Sequence, residues 1–79
     1  MGLVRYFVFR NGDRWLVTQD GLPMGRHDTQ DAALASAVVM ANLMGAMKYD
    51  ADVMVEGGDR LELAWSYAAA TLPAGQQAA

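Results

Sequence analysis

From Ala32 to Met47 the chain carries no charged residue: Ala-Ala-Leu-Ala-Ser-Ala-Val-Val-Met-Ala-Asn-Leu-Met-Gly-Ala-Met. Asp28-Thr29-Gln30-Asp31 stands directly before this run. Short polar residues followed by an acid and then an apolar stretch mark a helix start, because their side-chain oxygens accept bonds from orphan N–H groups of the first turn. Asp28 or Thr29 is the expected cap. Asp31, three residues after Asp28, resembles a capping box with Asp in place of Glu, and its charge suits the positive helix end. The helix is expected to run to Gly45, or past it to Lys48 or Tyr49, with Gly45 either a stop or a close packing point. The uncharged run has 16 residues, fewer than the roughly 20 needed to cross a bilayer. It is rich in Ala and includes Ser36 and Asn42, so a buried helix is expected and not a membrane span.

At about 100° per residue, Ala33, Leu34, Ala37, Met40, Ala41 and Met44 form one stripe, enough to cover a small sheet. The opposite side carries Ala35, Ser36, Val39, Asn42, Leu43 and Ala46, with Val38 and Met47 near the borders. A helix covered on one side only should place Lys, Glu, Arg or Gln there. This one offers Val39 and Leu43 instead, and burying each of them stabilises by about 1.5–3 kcal/mol. Ala35, Val39, Asn42, Leu43 and Ala46 are therefore the expected interface with another protein. A second copy of the chain is favoured, since twofold homodimers are the commonest assembly.

The rest of the chain reads as short strands and turns. Val4–Arg10 is β-branched and aromatic, Asn11-Gly12 is a hairpin signal, and Asp13–Gln19 is the return strand. A two-residue Asn11-Gly12 turn would pair Val8 with Trp15 and Tyr6 with Val17 on one face. Phe7, Phe9 and Leu16 would take the other, beside Arg5, Arg14 and Thr18. Asp20-Gly21 is a second turn, and Leu22–His27 is an optional third strand that Pro23 confines to an edge or a strand start. Asp52–Glu56 is a strand, Gly57-Gly58-Asp59 a turn, and Arg60–Tyr67 a strand with Leu61, Leu63, Trp65 and Tyr67 on one face. The expected architecture is α+β: β-β-(β)-α-β-β, one antiparallel sheet of four or five strands with the helix on one face. Residues 1–67 form one domain, and 68–79 read as a disordered tail.

Seventy-nine residues bury only about 60% of the unfolded surface or slightly more, and domains this small add disulfides, a metal or oligomerisation. The chain has no cysteine and one histidine, His27, so disulfides, thiolate sites and His-rich sites are excluded. Oligomerisation is the expected staple. No cysteine and no basic-then-hydrophobic leader at the N-terminus together set a cytoplasmic location as the expectation.

Catalytic chemistry lacks its parts. His27 beside Asp28 resembles a polarised base, but the only serines are Ser36 in the helix and Ser66 in a strand, with no strained elbow. Asp50/Asp52 and Asp28/Asp31 lack the spacing of a calcium loop and sit at turns or caps, where Asp serves the backbone. Gly57-Gly58 precedes no Lys-Ser/Thr and no helix, so it is a turn and not a phosphate loop. No enzyme activity, cofactor or metal is expected. Arg5, Phe7, Phe9 and Arg14, with Arg26 nearby, form a different pattern: arginines beside aromatics on a sheet can stack bases and contact phosphates. The net charge of −3 weighs against that reading. A nucleic-acid-binding accessory domain using Arg5, Phe7, Phe9 and Arg14 is the alternative, and a small phage-type inhibitor of a host complex a further one.

Gly12-Asp13-Arg14-Trp15-Leu16-Val17 resembles the Gly-x-Trp-x-Val strand of the small bacterial domains of unknown function catalogued as DUF 2188. His27-Asp28-Thr29-Gln30-Asp31-Ala32-Ala33-Leu34 is similar to that family's aromatic-Asp-Thr-x-x-Glu-Ala helix entry. Asp52–Gly57 and Trp65-Ser66-Tyr67 match its last strands in style, so the resemblance covers residues 4–67. It implies the β-β-α-β-β order and brings no activity, because the family has no established one. The chain departs from the family at Ala32, where a Glu is usual, in a helix without outward Arg and Glu, and in a longer helix-to-strand connection. The helix-entry pattern is also similar to the sheet-plus-helix DNA-binding domains of phage-type integrases, an analogy of fold that does not set function.

Overall fold

The computed structural model describes residues 2–70. Five strands and two helices follow in the order β1 (Leu3–Asn11), β2 (Arg14–Gln19), β3 (Leu22–His27), α1 (Gln30–Ala46), β4 (Asp50–Gly57), β5 (Arg60–Ser66) and α2 (Tyr67–Ala70). The strands form one sheet in the order β3-β2-β1-β4-β5, and α1 packs on one face of it. The fold is the expected two-layer α+β arrangement. The expected third strand is present, and Ala68–Ala70, read from the sequence as the start of a tail, belong to the α2 turn. The rest of that tail, 71–79, lies outside the described residues.

One pairing differs from the antiparallel expectation. β1 and β4 run parallel, with Leu3 opposite Asp50 and Val8 opposite Val55. The third strand is the cause. β1 and β3 are each antiparallel to β2, so β3 ends where β1 ends. A 17-residue helix is about 25 Å long and carries the chain back along the sheet. β4 therefore starts at the same end as β1. Without β3 the same helix would have delivered β4 antiparallel to β1.

The three hairpins turn on two residues each. Asp20 and Gly21 both have positive φ (50° and 91°), as a type I′ turn requires. The other two loops are Gly12-Asp13 and Gly58-Asp59, each with positive φ at the glycine only. The first loop thus lies one residue beyond the expected Asn11-Gly12. Asn11 pairs with Arg14, Val8 with Val17, and Tyr6 with Gln19. This moves each partner by two positions, so every side chain keeps its expected face.

The core lies between α1 and the sheet. Val4, Tyr6, Val8, Val17, Ala51 and Val53 supply the sheet side, and Ala33, Ala37 and Ala41 the helix side, all fully or nearly fully buried. Ala33, Ala37, Ala41 and Gly45 recur every four residues, so the contact stripe of α1 is made of the smallest side chains. Small residues let the helix axis sit low over a sheet that presents Tyr6, Trp15 and Trp65. Leu34, Val38, Met40 and Met44 seal the two flanks. Gly45 is a packing point: a Cβ there would overlap the Tyr67 ring.

The helix ends are built from local chemistry. Thr29 is the cap, with extended backbone and its Oγ1 accepting the Ala32 N–H at 3.1 Å. Ala32 is therefore the third helical residue, where a reciprocal capping box needs an acid, and Asp31 is one position too early to close it. At the other end Tyr49 N–H donates to the Met44 carbonyl and Lys48 N–H to that of Gly45, with Lys48 at φ 79°. This is a Schellman motif with lysine in the place that glycine usually takes.

Candidate interaction surfaces

The outer side of α1 is uncharged and open. Val39, Leu43 and Met47 are 61%, 61% and 62% exposed, one helical turn apart along a single line. Ala35, Asn42 and Ala46 flank that line and are exposed as well, so all five residues expected at an interface share one surface. The nearest charges on the helix and its exit are Asp31 and Lys48, one at each end. Side chains of one or two carbons at 35, 36 and 46 leave room for a second helix to approach closely.

The second surface is the sheet face away from α1. The register places two rows of side chains across it. Thr18, Phe7, Met54 and Leu63 form one; Leu16 and Phe9 on β2 and β1 continue into Glu56 and Leu61 on β4 and β5 as the other. An open groove of about 480 Å³ lies among Phe7, Phe9, Thr18, Gly21, Glu56 and Leu61. Leu61 and Leu63 stand 47% and 59% exposed. The sequence alternation had grouped them with Trp65 and Tyr67. A bulge in the β4–β5 ladder between Met54–Leu63 and Val53–Trp65 leaves Ala64 without a partner. The extra residue reverses the alternation, sending Leu61 and Leu63 to the open face and Trp65 to the core. Alternating hydrophobicity carries no mark of such a bulge; Ala64, a small residue between Leu63 and Trp65, is the local cue.

Arg5, Phe7, Phe9 and Arg14 fall on this open face, as read from the sequence. Their charges are matched. The Arg5 guanidinium stands 3.7 Å from the Asp52 carboxylate, its register partner on β4, and Arg14 stands 3.4 Å from Asp28. Arg5 Nε is buried and has no hydrogen-bond acceptor. Arg26, opposite Leu16, adds a third arginine to this face without an ion pair, but Asp50, Asp52 and Glu56 follow the open-face alternation of β4, so among the described residues acids offset the bases and no purely cationic stripe tracks the face.

The residues with catalytic potential have structural partners. Asp28 pairs with Arg14, while His27 ends β3 opposite Trp15. Ser66 Oγ accepts the Ala69 N–H at 3.2 Å and so caps the α2 turn. The Glu56 carboxylate accepts the backbone N–H of Arg10 at 3.0 Å, beyond the last β1–β4 pair, and ties the two strand ends together. Among the described residues no three His, Asp or Glu side chains converge as a metal site would need. Tyr6 has a displaced pKa: burial pushes its phenol up, and the Asp20 carboxylate adds to the shift. Its hydroxyl donates to Gln19 Oε1 at 3.3 Å, which makes it a core residue with a satisfied polar end.

The fold and its surfaces define a small two-layer α+β domain with an uncharged outer helix face, a mixed apolar and charged sheet face, and no assembled reaction centre among the described residues. Comparison with protein-family models, with curated proteins and with solved structures finds no match. No helix among the described residues is long and apolar enough to cross a membrane.

Proposed function

We propose that the protein is a non-enzymatic interaction module that assembles with copies of itself through the outer face of α1. The carrying observation is the line Val39–Leu43–Met47, each more than half exposed on a helix without an outward charge. Single exposed apolar residues are ordinary, but a contiguous uncharged face marks a contact surface. A twofold axis across α1 would bury the same residues from both chains and double the gain. The proposal takes the chain as a bacterial, cytoplasmic relative of the DUF 2188 domains, supported by the motifs at residues 12–17 and 27–34. The pairing of Arg5 and Arg14 with acids, and the further acids Asp50 and Glu56 on the same sheet face as the unpaired Arg26, favour a protein partner over a nucleic acid. Sedimentation velocity tests the reading. The wild type should sediment as a dimer or larger, and Val39→Glu with Leu43→Lys should stay folded, lose the α1 contact and sediment as a smaller species than the wild type. A wild type that remains monomeric at high concentration refutes it.

A further inference from the structure

The sheet has two outer strands, and they differ as templates for another strand. β3 contains Pro23, which has no N–H to donate, and its ladder with β2 is broken by a bulge between Val17 and Thr18. β5 has no proline, and Arg60 to Ala64 are all exposed. Gly57 and Arg60 flank a two-residue loop and are register partners, so they exchange ladder bonds. By alternation Arg60 and Glu62 direct their backbone groups to β4, and Leu61 and Leu63 direct theirs outward. An exposed row of such groups invites a further strand.

The side chains select both the occupant and its register. We propose that β5 pairs antiparallel with β5 of a second copy, about a twofold axis through Leu61. In this register Leu61 faces its own copy, and Arg60 lies opposite Glu62 of the partner on both sides of the axis. The Arg–Glu positions fall at non-hydrogen-bonded sites, where side chains stand closest. Moving the axis to Glu62 sets two carboxylates against each other. Moving it to Leu63 loses the ion pairs and brings the Ala64 bulge into the new ladder. The charges that would repel a foreign strand thus complement a second copy. The joined sheet has ten strands, and it sets the exposed Leu61 and Leu63 side chains of both copies side by side on the open face. This contact lies on the sheet edge, apart from the outer side of α1, and stands independently of it.

The chain has no cysteine, so one introduced thiol reports the register. Directly opposed hydrogen-bonded residues have Cα atoms about 5.5 Å apart, within disulfide range. The full chain carrying Leu61→Cys should form a disulfide-linked dimer under mild oxidation, while Leu63→Cys, at a more exposed position of the same strand, should not. Charge reversal is the second arm, run by sedimentation equilibrium in a Leu43→Lys background that removes the α1 contact. There the mass should rise with concentration from 8.5 kDa toward twice that value. Arg60→Glu or Glu62→Arg alone should weaken the dimer about tenfold or more, and the double reversal should restore it. Circular dichroism melts confirm that each variant is folded. Equal cross-linking at 61 and 63, a double reversal as weak as the single ones, or a monomer in the Leu43→Lys background overturns the β5 contact. None of those results bears on the α1 contact, which the wild type and the Val39 and Leu43 variants decide.

Discussion

Gly45 shows how one missing methyl sets a local structure. It sits in the last turn of α1, buried under the Tyr67 ring. Gly45→Ala would raise helix propensity, yet the added carbon has no space, so overpacking should win and lower stability by about 1–3 kcal/mol. A urea titration should show the loss, and pairing the change with Tyr67→Ala should give less than the summed effect, because the two residues share one contact. Lys48 presents the opposite case. Its φ of 79° is a left-handed conformation that costs a residue with a Cβ about 1 kcal/mol. Lys48→Gly should recover that amount and raise the melting temperature by about 4–8 °C. Tyr6 adds a pH dependence. The native state holds the phenol above its ordinary value of about 10, whereas the unfolded chain ionises at that value. The stabilisation is complete below about pH 10 and is lost as pH rises from there through the native value. Alkaline unfolding followed by circular dichroism should be steeper in the wild type than in Tyr6→Phe.

At the scale of elements, α1 is a sound helix with an incomplete start. Thr29 caps it, but Ala32 leaves the reciprocal half of the capping box unmade. Ala32 is exposed, so Ala32→Glu should complete the box and stabilise by about 0.5 kcal/mol in thermal melts. An unchanged or lower melting temperature would show that the box cannot close here. Helix position, core stripe and strand identities were legible in the sequence because period 3.6 and period 2 are separate signals. Ala33, Leu34, Ala37, Met40, Ala41 and Met44 all meet the core as their spacing implied. Two features were not legible for physical reasons. The direction of β4 depends on whether Leu22–His27 forms a strand, and Pro23 and Gly25 make that segment ambiguous. The face of Leu61 and Leu63 depends on a single-residue bulge, whose energy comes from ladder geometry and not from composition. The faces of Arg5, Phe7, Phe9 and Arg14 survived a shift of the hairpin loop, because a two-position change in register preserves the alternation.

The whole molecule has one core and two uncovered surfaces, the uncharged outer side of α1 and a sheet face that mixes apolar and charged residues. The core uses one side of α1 and one side of the sheet, and the described residues supply no further layer to cover the others. The proposed self-assembly would cover them without disulfides or a metal. In the proposed assembly Val39 and Leu43 of α1, with the cap residue Met47, meet the same residues of a second chain. Isotope-filtered NMR on a mixture of labelled and unlabelled protein tests that contact most directly. Intermolecular cross-peaks are expected among the Val39, Leu43 and Met47 methyl groups. Cross-peaks confined to sheet residues, or none at concentrations where sedimentation gives the monomer mass, would contradict it.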